Sequence, residues 1–304
     1  MKTALFEASG SLASIGILIA AKEAGYKVVA SDSDALSVGR HFSDAFHVVP
    51  ETRDPNLWQA LEAVVKREKV SLVIPSLDES LMLWDENREA LRSQGIHVCL
   101  SSRAAIETFS DKWRAFEFFR QHNFPTPKTS LTQDYDVIKP RIGRGSRGVH
   151  LSDGPTDMEG RISQEFCHGQ EFTVDILCDG QGRPVYIVPR RRERILEGKS
   201  IVSIVDVNPQ IVALCERICA VMDFCGPINI QIFLDEGPTI IEINPRLASG
   251  AVLAFAATEN WIPLMHRIAM GEVVCATGEV QNGLRMERYF SEHYTLVSAK
   301  YCQQ

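Results

Sequence analysis

Val137-Ile138-Lys139-Pro140-Arg141-Ile142-Gly143-Arg144-Gly145-Ser146-Arg147-Gly148-Val149 is the stretch on which the reading of this chain turns. A strand over 136–140 delivers Lys139 into a loop where Gly143, Gly145 and Gly148 recur at every second or third position. Glycines let backbone N–H groups converge on phosphate oxygens, and a lysine adds a point charge. A second strand, 148–151, leaves the loop. The lysine precedes the glycines and no helix follows, so this is not the P-loop order. The same residues would also make a bare glycine hairpin with solvated arginines, so the flanking sequence has to decide.

Upstream, apolar runs at 3–7, 27–31, 46–49, 70–74 and 96–100 read as strands, and 15–24, 56–68 and 79–92 as helices. Strict alternation of the two predicts a parallel sheet covered on both faces over roughly the first 105 residues. Asp32 closes the second strand, where a ribose-binding acid stands in dinucleotide folds. Only Gly10 and Gly16 remain of the three glycines that such a site needs, so a pyrophosphate could not approach closely. A structural or substrate-shaping lobe is expected instead. After Ser101-Ser102 the rhythm changes to a helix at 111–122 and a stiff Pro125-Thr126-Pro127 connector. Strands at 136–140, 148–151, 162–167, 171–178, 184–191, 228–234 and 239–244 follow, with helices at 209–222 and 261–270. The turn Asp179-Gly180-Gln181-Gly182 makes one hairpin. Neighbouring strands with segregated helices predict an α+β arrangement here.

The strongest downstream signal is the pair Asn229-Ile-Gln-Ile-Phe-Leu234 and Thr239-Ile-Ile-Glu-Ile-Asn244. With Asp235 to Pro238 as the loop, Leu234 faces Thr239, Gln231 faces Glu242 and Asn229 faces Asn244. Period-2 alternation then gathers the four polar side chains on one face, and Ile230, Ile232, Leu234, Ile241 and Ile243 on the other. One carboxylate among amides is an oxygen site suited to Mg²⁺, which keeps its waters and phosphates. A solvated sheet face would explain the alternation, but not so amide-rich a face running into Pro245-Arg246.

Bulk properties narrow the field. The 304 residues are 45% hydrophobic and 23% charged, and 32 Lys+Arg against 39 Asp+Glu leave a net charge of −7. Nucleic acid or an anionic membrane as main partner needs a positive field, so neither is expected. The apolar run at 15–21 is far too short for a membrane span, and Glu7 interrupts any leader-like stretch. Eight cysteines without CxxC spacing predict no disulfide framework, and hence a reducing, cytoplasmic setting. Cys215 and Cys219 share a helix face with Leu214, Ile218 and Met222, which is core packing rather than a metal site; Cys225 is placed with them.

A third element, Gln164-Glu165-Phe166-Cys167-His168-Gly169-Gln170-Glu171-Phe172-Thr173, completes an ordered series. Ser110-Asp111-Lys112, the Ile-Lys-Pro strand with its glycine loop, this Gln-Glu-Phe…Gly-Gln-Glu-Phe-Thr segment and Glu242-Ile-Asn-Pro-Arg246 together resemble the ATP-grasp superfamily. The resemblance is closest to the branch of the carbamoyl phosphate synthetase large subunit and the amino-acid ligases built like it. It covers nearly the whole chain. It implies a Rossmann-like pre-ATP-grasp domain at 1–105 and an ATP-grasp domain at 106–304, with a small lid lobe at about 125–168 and a large lobe at about 169–304.

The resemblance also implies roles. Lys112 and Lys139 would hold the α- and β-phosphates of ATP beneath the flexible cover of Gly143, Gly145, Ser146 and Gly148. Glu165, Phe166, Cys167 and His168 would line the adenine edge, and Glu171 would hold the ribose hydroxyls. Gln231, Glu242 and Asn244 would bind two Mg²⁺ ions, with Mn²⁺ as a substitute. Gln at the first of these positions is the pattern of the carbamoyl phosphate synthetase branch. Arg246 would stabilise the phosphoryl group in transfer, and Lys199 falls near a γ-phosphate contact of some relatives. From residue type alone, Arg190 and Arg192 suit capture of a substrate carboxylate. Ser76–Glu79 and Leu247–Ala251 are expected to shape the substrate pocket; nothing after about residue 280 carries a functional signal.

The expected activity is an ATP-dependent carboxylate–amine ligase, working through an acyl phosphate on small-molecule substrates and releasing ADP and phosphate. Alternatives are a phosphotransferase whose product is the acyl or carbamoyl phosphate, and an ATP-binding module without turnover. A homodimer is the default assembly.

Overall fold

The computed structural model describes residues 2–11, 14–145, 147–196 and 198–296. It opens with five short strands: β1 (Thr3–Phe6), β2 (Lys27–Asp32), β3 (Ala45–Val48), β4 (Leu72–Ile74) and β5 (His97–Val98). Helices α1 (Ile15–Glu23), α2 (Leu57–Glu68) and α3 (Leu81–Arg92) connect them. All pairings are parallel, in the order β3-β2-β1-β4-β5. Every residue of β1 is buried, as a central strand covered on both faces must be. Asp32 lines a large cavity and also has a structural task. Its carboxylate accepts the Gly10 and Asp34 N–H groups, at 2.6 and 3.0 Å, and so fixes the first strand–helix turn.

Helices α4 (Arg103–Phe109) and α5 (Lys112–Gln121) follow, each started by a side-chain cap: Ser102 accepts Ala105 N–H, and Asp111 accepts Trp113 N–H. The proline connector lies along a sheet edge, where the Pro125 carbonyl accepts Ile240 N–H at 2.9 Å. Strands β6 (Thr129–Ser130), β7 (Val137–Pro140), β8 (His150–Leu151) and β9 (Arg161–Gln164) form a small antiparallel sheet ordered β6-β9-β7-β8.

The larger sheet comprises β10 (Gln170–Cys178), β11 (Pro184–Leu196), β12 (Lys199–Val205), β13 (Gly226–Leu234), β14 (Pro238–Asn244) and β15 (Arg285–Glu287), in the order β14-β13-β10-β11-β12-β15. Three helices complete the chain: α6 (Pro209–Cys219), α7 (Val252–Ala257) and α8 (Trp261–Ala269). One face of this sheet packs Phe172, Val174, Ile176, Ile230, Ile232, Ile240 and Ile243 against α5 and α6, including Cys215 and Cys219. Cys225 is half-buried beside the neighbouring core. That core joins α1 to α7 and α8 and so ties the parallel lobe to the end of the chain; Tyr26 Oη lies 2.8 Å from His266 Nδ1 across it.

The β13–β14 hairpin corrects the sequence reading at its loop end. Gln231 faces Glu242 and Asn229 faces Asn244, but a bulge then shifts the register, so Ile232 faces Ile240 and Leu234 faces Pro238. Ile240, not Ile241, therefore enters the core. Strand β11 also runs five residues beyond its expected end, because its charged tip pairs with β12 away from the core. Strands β6, β12 and β15 and helix α7 carry too little periodic signal to be placed from sequence.

Gly169, at the start of β10, has φ +98°, and a Cβ there would overlap the Leu234 carbonyl oxygen. Gly169→Ala should therefore cost at least about 2 kcal/mol in a urea melt. Gly160→Ala has φ +67° but open space around it, and should cost clearly less.

Candidate functional site

The register of the large sheet aligns its polar side chains in rows. Glu242, Gln231, Thr173 and Arg190 stand opposite one another across β14, β13, β10 and β11, and Asn244, Asn229 and Asp175 form the next row. These rows occupy the face opposite the isoleucine core. They form one wall of a cavity of about 1190 Å³, and the turns after β1, β2 and β4 of the parallel sheet form the other. Strand ends of an open parallel sheet are where such crevices form.

Gln231, Glu242 and Asn244 all line this cavity. Among the described residues the amide of Gln231 has no hydrogen-bond partner, and the Glu242 carboxylate pairs with Lys112 at 3.7 Å. No group of three His, Cys, Asp or Glu side chains suited to a metal occurs among the described residues. One carboxylate and two amide oxygens nonetheless fit a hard cation that brings phosphate oxygens and water of its own, as Mg²⁺ or Mn²⁺ does.

Two lysines approach Glu242 from the small-sheet side. Lys112 opens α5 and donates to the Gly143 carbonyl at 2.8 Å, clamping the glycine loop. Lys139, on β7, is buried, which pushes its pKa down to about 8; Glu242 opposes this and Lys112 adds to it. Gly143, Gly145 and Gly148 all adopt positive φ, which permits the tight loop; Ser146 lies outside the described residues. Arg144 anchors the loop to the parallel lobe through Glu79, at 3.3 Å.

The segment 165–168 links the two antiparallel sheets. Glu165 turns its carboxylate to Lys128 at 2.9 Å, Phe166 and His168 pack ring to ring at 4.9 Å, and Cys167 is half-buried. Lys112, Lys139, Glu171 and residues 165–168 lie outside the large cavity, which ends at Glu242.

The arginine strand is engaged more deeply than its sequence suggests. Arg190, 3% exposed, donates to Asp175 at 2.6 Å, and Asn229 braces the same carboxylate at 2.6 Å. Breaking a buried pair of this kind typically costs about 3–5 kcal/mol, so Arg190 is first a structural residue. Its guanidinium fills the space where Gly250 would carry a Cβ. Arg192 grips Glu171 and donates to Ser200 Oγ at 2.9 Å and the Gly198 carbonyl at 2.7 Å. Lys199 is exposed at the cavity rim, with no ion pair among the described residues.

Arg246 meets Asp78 of the parallel lobe in a bidentate pair at 2.8 and 2.9 Å and reaches Asn244 Oδ1 at 3.3 Å. The turn carrying Asp78 is ordered by buried Glu7, which accepts from Ser76 N, Leu77 N, Ser80 Oγ and Trp84 Nε1. Asp175 and Arg288 are functional candidates that motif reading passes over. Asp78 lies within the Ser76–Glu79 segment expected at the pocket, just beyond a parallel strand, and its pairing with Arg246 is what the structure adds. Ser76, Glu79 and Leu247 to Gly250 line the cavity as expected.

Lys139 gives this arrangement a measurable signature. Its ammonium is charged below pH about 8, and a bound polyphosphate would raise its pKa. Triphosphate affinity should thus be level on the acid side of that value and fall above it. Calorimetry at that pH in two buffers of different ionisation enthalpy should register proton uptake, and Lys139→Met should abolish it. Equal heats in both buffers for the wild type would contradict the assignment.

Two family descriptions match the chain: "PylC-like, N-terminal domain" over residues 10–99 and "ATP-grasp domain" over residues 109–250. Among solved structures, biotin carboxylase of Campylobacter jejuni in its β-γ-ATP complex superposes with a TM-score of 0.69 at 14% identity, over 94% of this chain and 74% of that one. The biotin carboxylase domain of Hydrogenobacter thermophilus 2-oxoglutarate carboxylase, a dimer with MgADP and bicarbonate, gives 0.70 at 14%, over 94% and 73%. N5-carboxyaminoimidazole ribonucleotide synthetase of Thermotoga maritima gives 0.63 at 19%, over 92% and 79%. Residues 109–250 thus form an ATP-grasp domain, and the chain as a whole shares the fold of ATP-grasp structures solved with an ATP analogue or MgADP.

Proposed function

We propose that this protein is an ATP-dependent carboxylate–amine ligase that forms an amide or peptide-like bond through an acyl phosphate. The observation that carries this reading is the convergence of Gln231, Glu242 and Asn244 with Lys112, Lys139 and Arg246, with no nucleophile or acid–base pair among them. Such a set binds and neutralises phosphoryl charge and leaves the bond-making to the substrates. A substrate carboxylate oxygen takes the γ-phosphoryl group of ATP, and ADP leaves. An amine then adds to the acyl carbon, loses a proton, and phosphate departs.

Lys112, Lys139 and the glycine loop hold the polyphosphate, Glu171 and residues 165–168 the nucleoside, and Arg246 the group in transfer. Gln231, Glu242 and Asn244 would hold Mg²⁺, which would supply charge neutralisation to the phosphoryl group in transfer. The Asp78 grip aims the Arg246 guanidinium along the Asn244 side of this set. In this reading residues 1–105 shape the substrate end and residues 106–304 carry the nucleotide end. The likeness to carboxylating enzymes supports acyl-phosphate chemistry in general and does not choose the substrates.

The test is ADP and phosphate release from Mg·ATP against pools of amino acids and small carboxylic acids, with and without hydroxylamine. Stimulation needing both an acid and an amine supports the ligase. Hydroxamate formed from an acid alone marks the phosphotransferase, and tight ATP binding without any stimulation marks a binding module.

Glu242→Gln keeps the shape and removes the only carboxylate of the metal set. The melting temperature should hold, turnover should fall by about 100-fold or more, and the Mg²⁺ optimum should move upward. Wild-type turnover at an unchanged Mg²⁺ optimum would remove Glu242 from the metal site.

A further inference from the structure

The cations of the cavity wall are not equally satisfied. Arg190 is neutralised by Asp175, Arg192 by Glu171, Arg246 by Asp78 and Arg144 by Glu79. Arg288, just beyond β15, lines the same cavity and makes no ion pair among the described residues. Main-chain carbonyls hold it instead: Nε donates to Ser200 O at 3.2 Å, and Nη2 to Ser249 O at 2.8 Å. Its own N–H is fixed on Ile201 O at 2.9 Å, so strand pairing sets where the side chain starts.

This environment is unfavourable for a lone cation. The guanidinium is half-buried, its pKa is pushed down by burial and then by the neighbouring charge of Arg190, and no acid opposes either effect. A desolvated charge beside a like charge costs free energy unless an anion joins it. Two of the donor directions are used by carbonyls and the rest of the fork has no partner among the described residues, which suits a planar, bidentate anion. Ser249 belongs to the loop that follows Arg246, so whatever binds Arg288 lies beside the segment carrying the phosphoryl-stabilising arginine.

We propose that Arg288 is the receptor for a non-reacting carboxylate of a substrate, so that the substrates include an amino acid or a dicarboxylate. This rests on the ligase reading for the word substrate, but the anion site stands on its own geometry. A carboxylate placed here gives this half-buried cation the counter-charge it lacks among the described residues. The reacting group of the same molecule extends towards Arg246 and the oxygen face. Arg190 and Arg192, occupied by their own acids, then brace this subsite rather than form it.

The test separates the site from the activity. Thermal melts of the full chain would be run with Mg·AMP-PNP present, to fill the phosphate lysines, and with malonate or L-glutamate at constant ionic strength against chloride. Wild type should be stabilised by malonate or by L-glutamate, and Arg288→Gln should lose that response while keeping its nucleotide affinity. In the turnover assay the same variant should raise KM for an amino acid by about 10- to 100-fold with kcat little changed, and should lose preference for the acid over its carboxamide. Should Arg288→Gln fail to fold, Arg288→Lys keeps the charge without the fork and should show an intermediate KM. No carboxylate effect on the wild-type melt, or an equal effect on a folded Arg288→Gln, overturns the proposal. A failure of all pools to stimulate turnover would count against the ligase reading alone.

Discussion

The two-sidedness of the large sheet governs the rest of this molecule. In β10 and β13, residues alternate between isoleucine or phenylalanine on one side and amide, hydroxyl or acid on the other, and hydrogen-bonded register carries that alternation from strand to strand. Burying one side against α5 and α6 fixes the phase of every strand, because a slip of one residue would put Gln231 and Asn229 into the core. The functional face is thus held by hydrophobic burial on the opposite face. Apart from the buried Arg190–Asp175–Asn229 cluster, the polar side chains of this face do not have to hold the sheet together.

The parallel lobe contributes order to the cavity. Glu7 gathers four donors and freezes the turn at 76–80. That turn extends two adjacent acids, Asp78 to Arg246 and Glu79 to Arg144. One short segment thereby touches both the glycine loop and the arginine beside the oxygen face. The lobe is also welded to α7 and α8 through a shared core, so this turn is carried on a fixed support.

Much of this was legible in the residues. The parallel order of the first lobe, the strand–lysine–glycine loop and the Gln231–Glu242 pairing follow from periodicity and turn chemistry, which are local. Pairings between distant segments were not legible. Nothing in the run Arg190 to Arg194 says that Arg190 is buried on Asp175 or that Arg192 grips Glu171, because those contacts depend on β10 and β11 being neighbours. Arg288 was invisible for the same reason: β15 is only three residues long, two of them charged, and its meaning comes only from its place at the edge of β12. The bulge at Ile241 shows the limit within a hairpin, where alternation was extrapolated through a point at which the backbone inserts a residue.

That bulge has an effect on how this hairpin can vary. The extra residue sits between the loop and the Gln231–Glu242 pair, and on either side of it the two strands are in step with their own faces. A shorter hairpin, with Ile241 absent, would still set Ile240 against Ile232 and Glu242 against Gln231. Residues can therefore be gained or lost at this one point, over generations, without moving the carboxylate from its partner. The hairpin tolerates drift in length where it would not tolerate drift in phase.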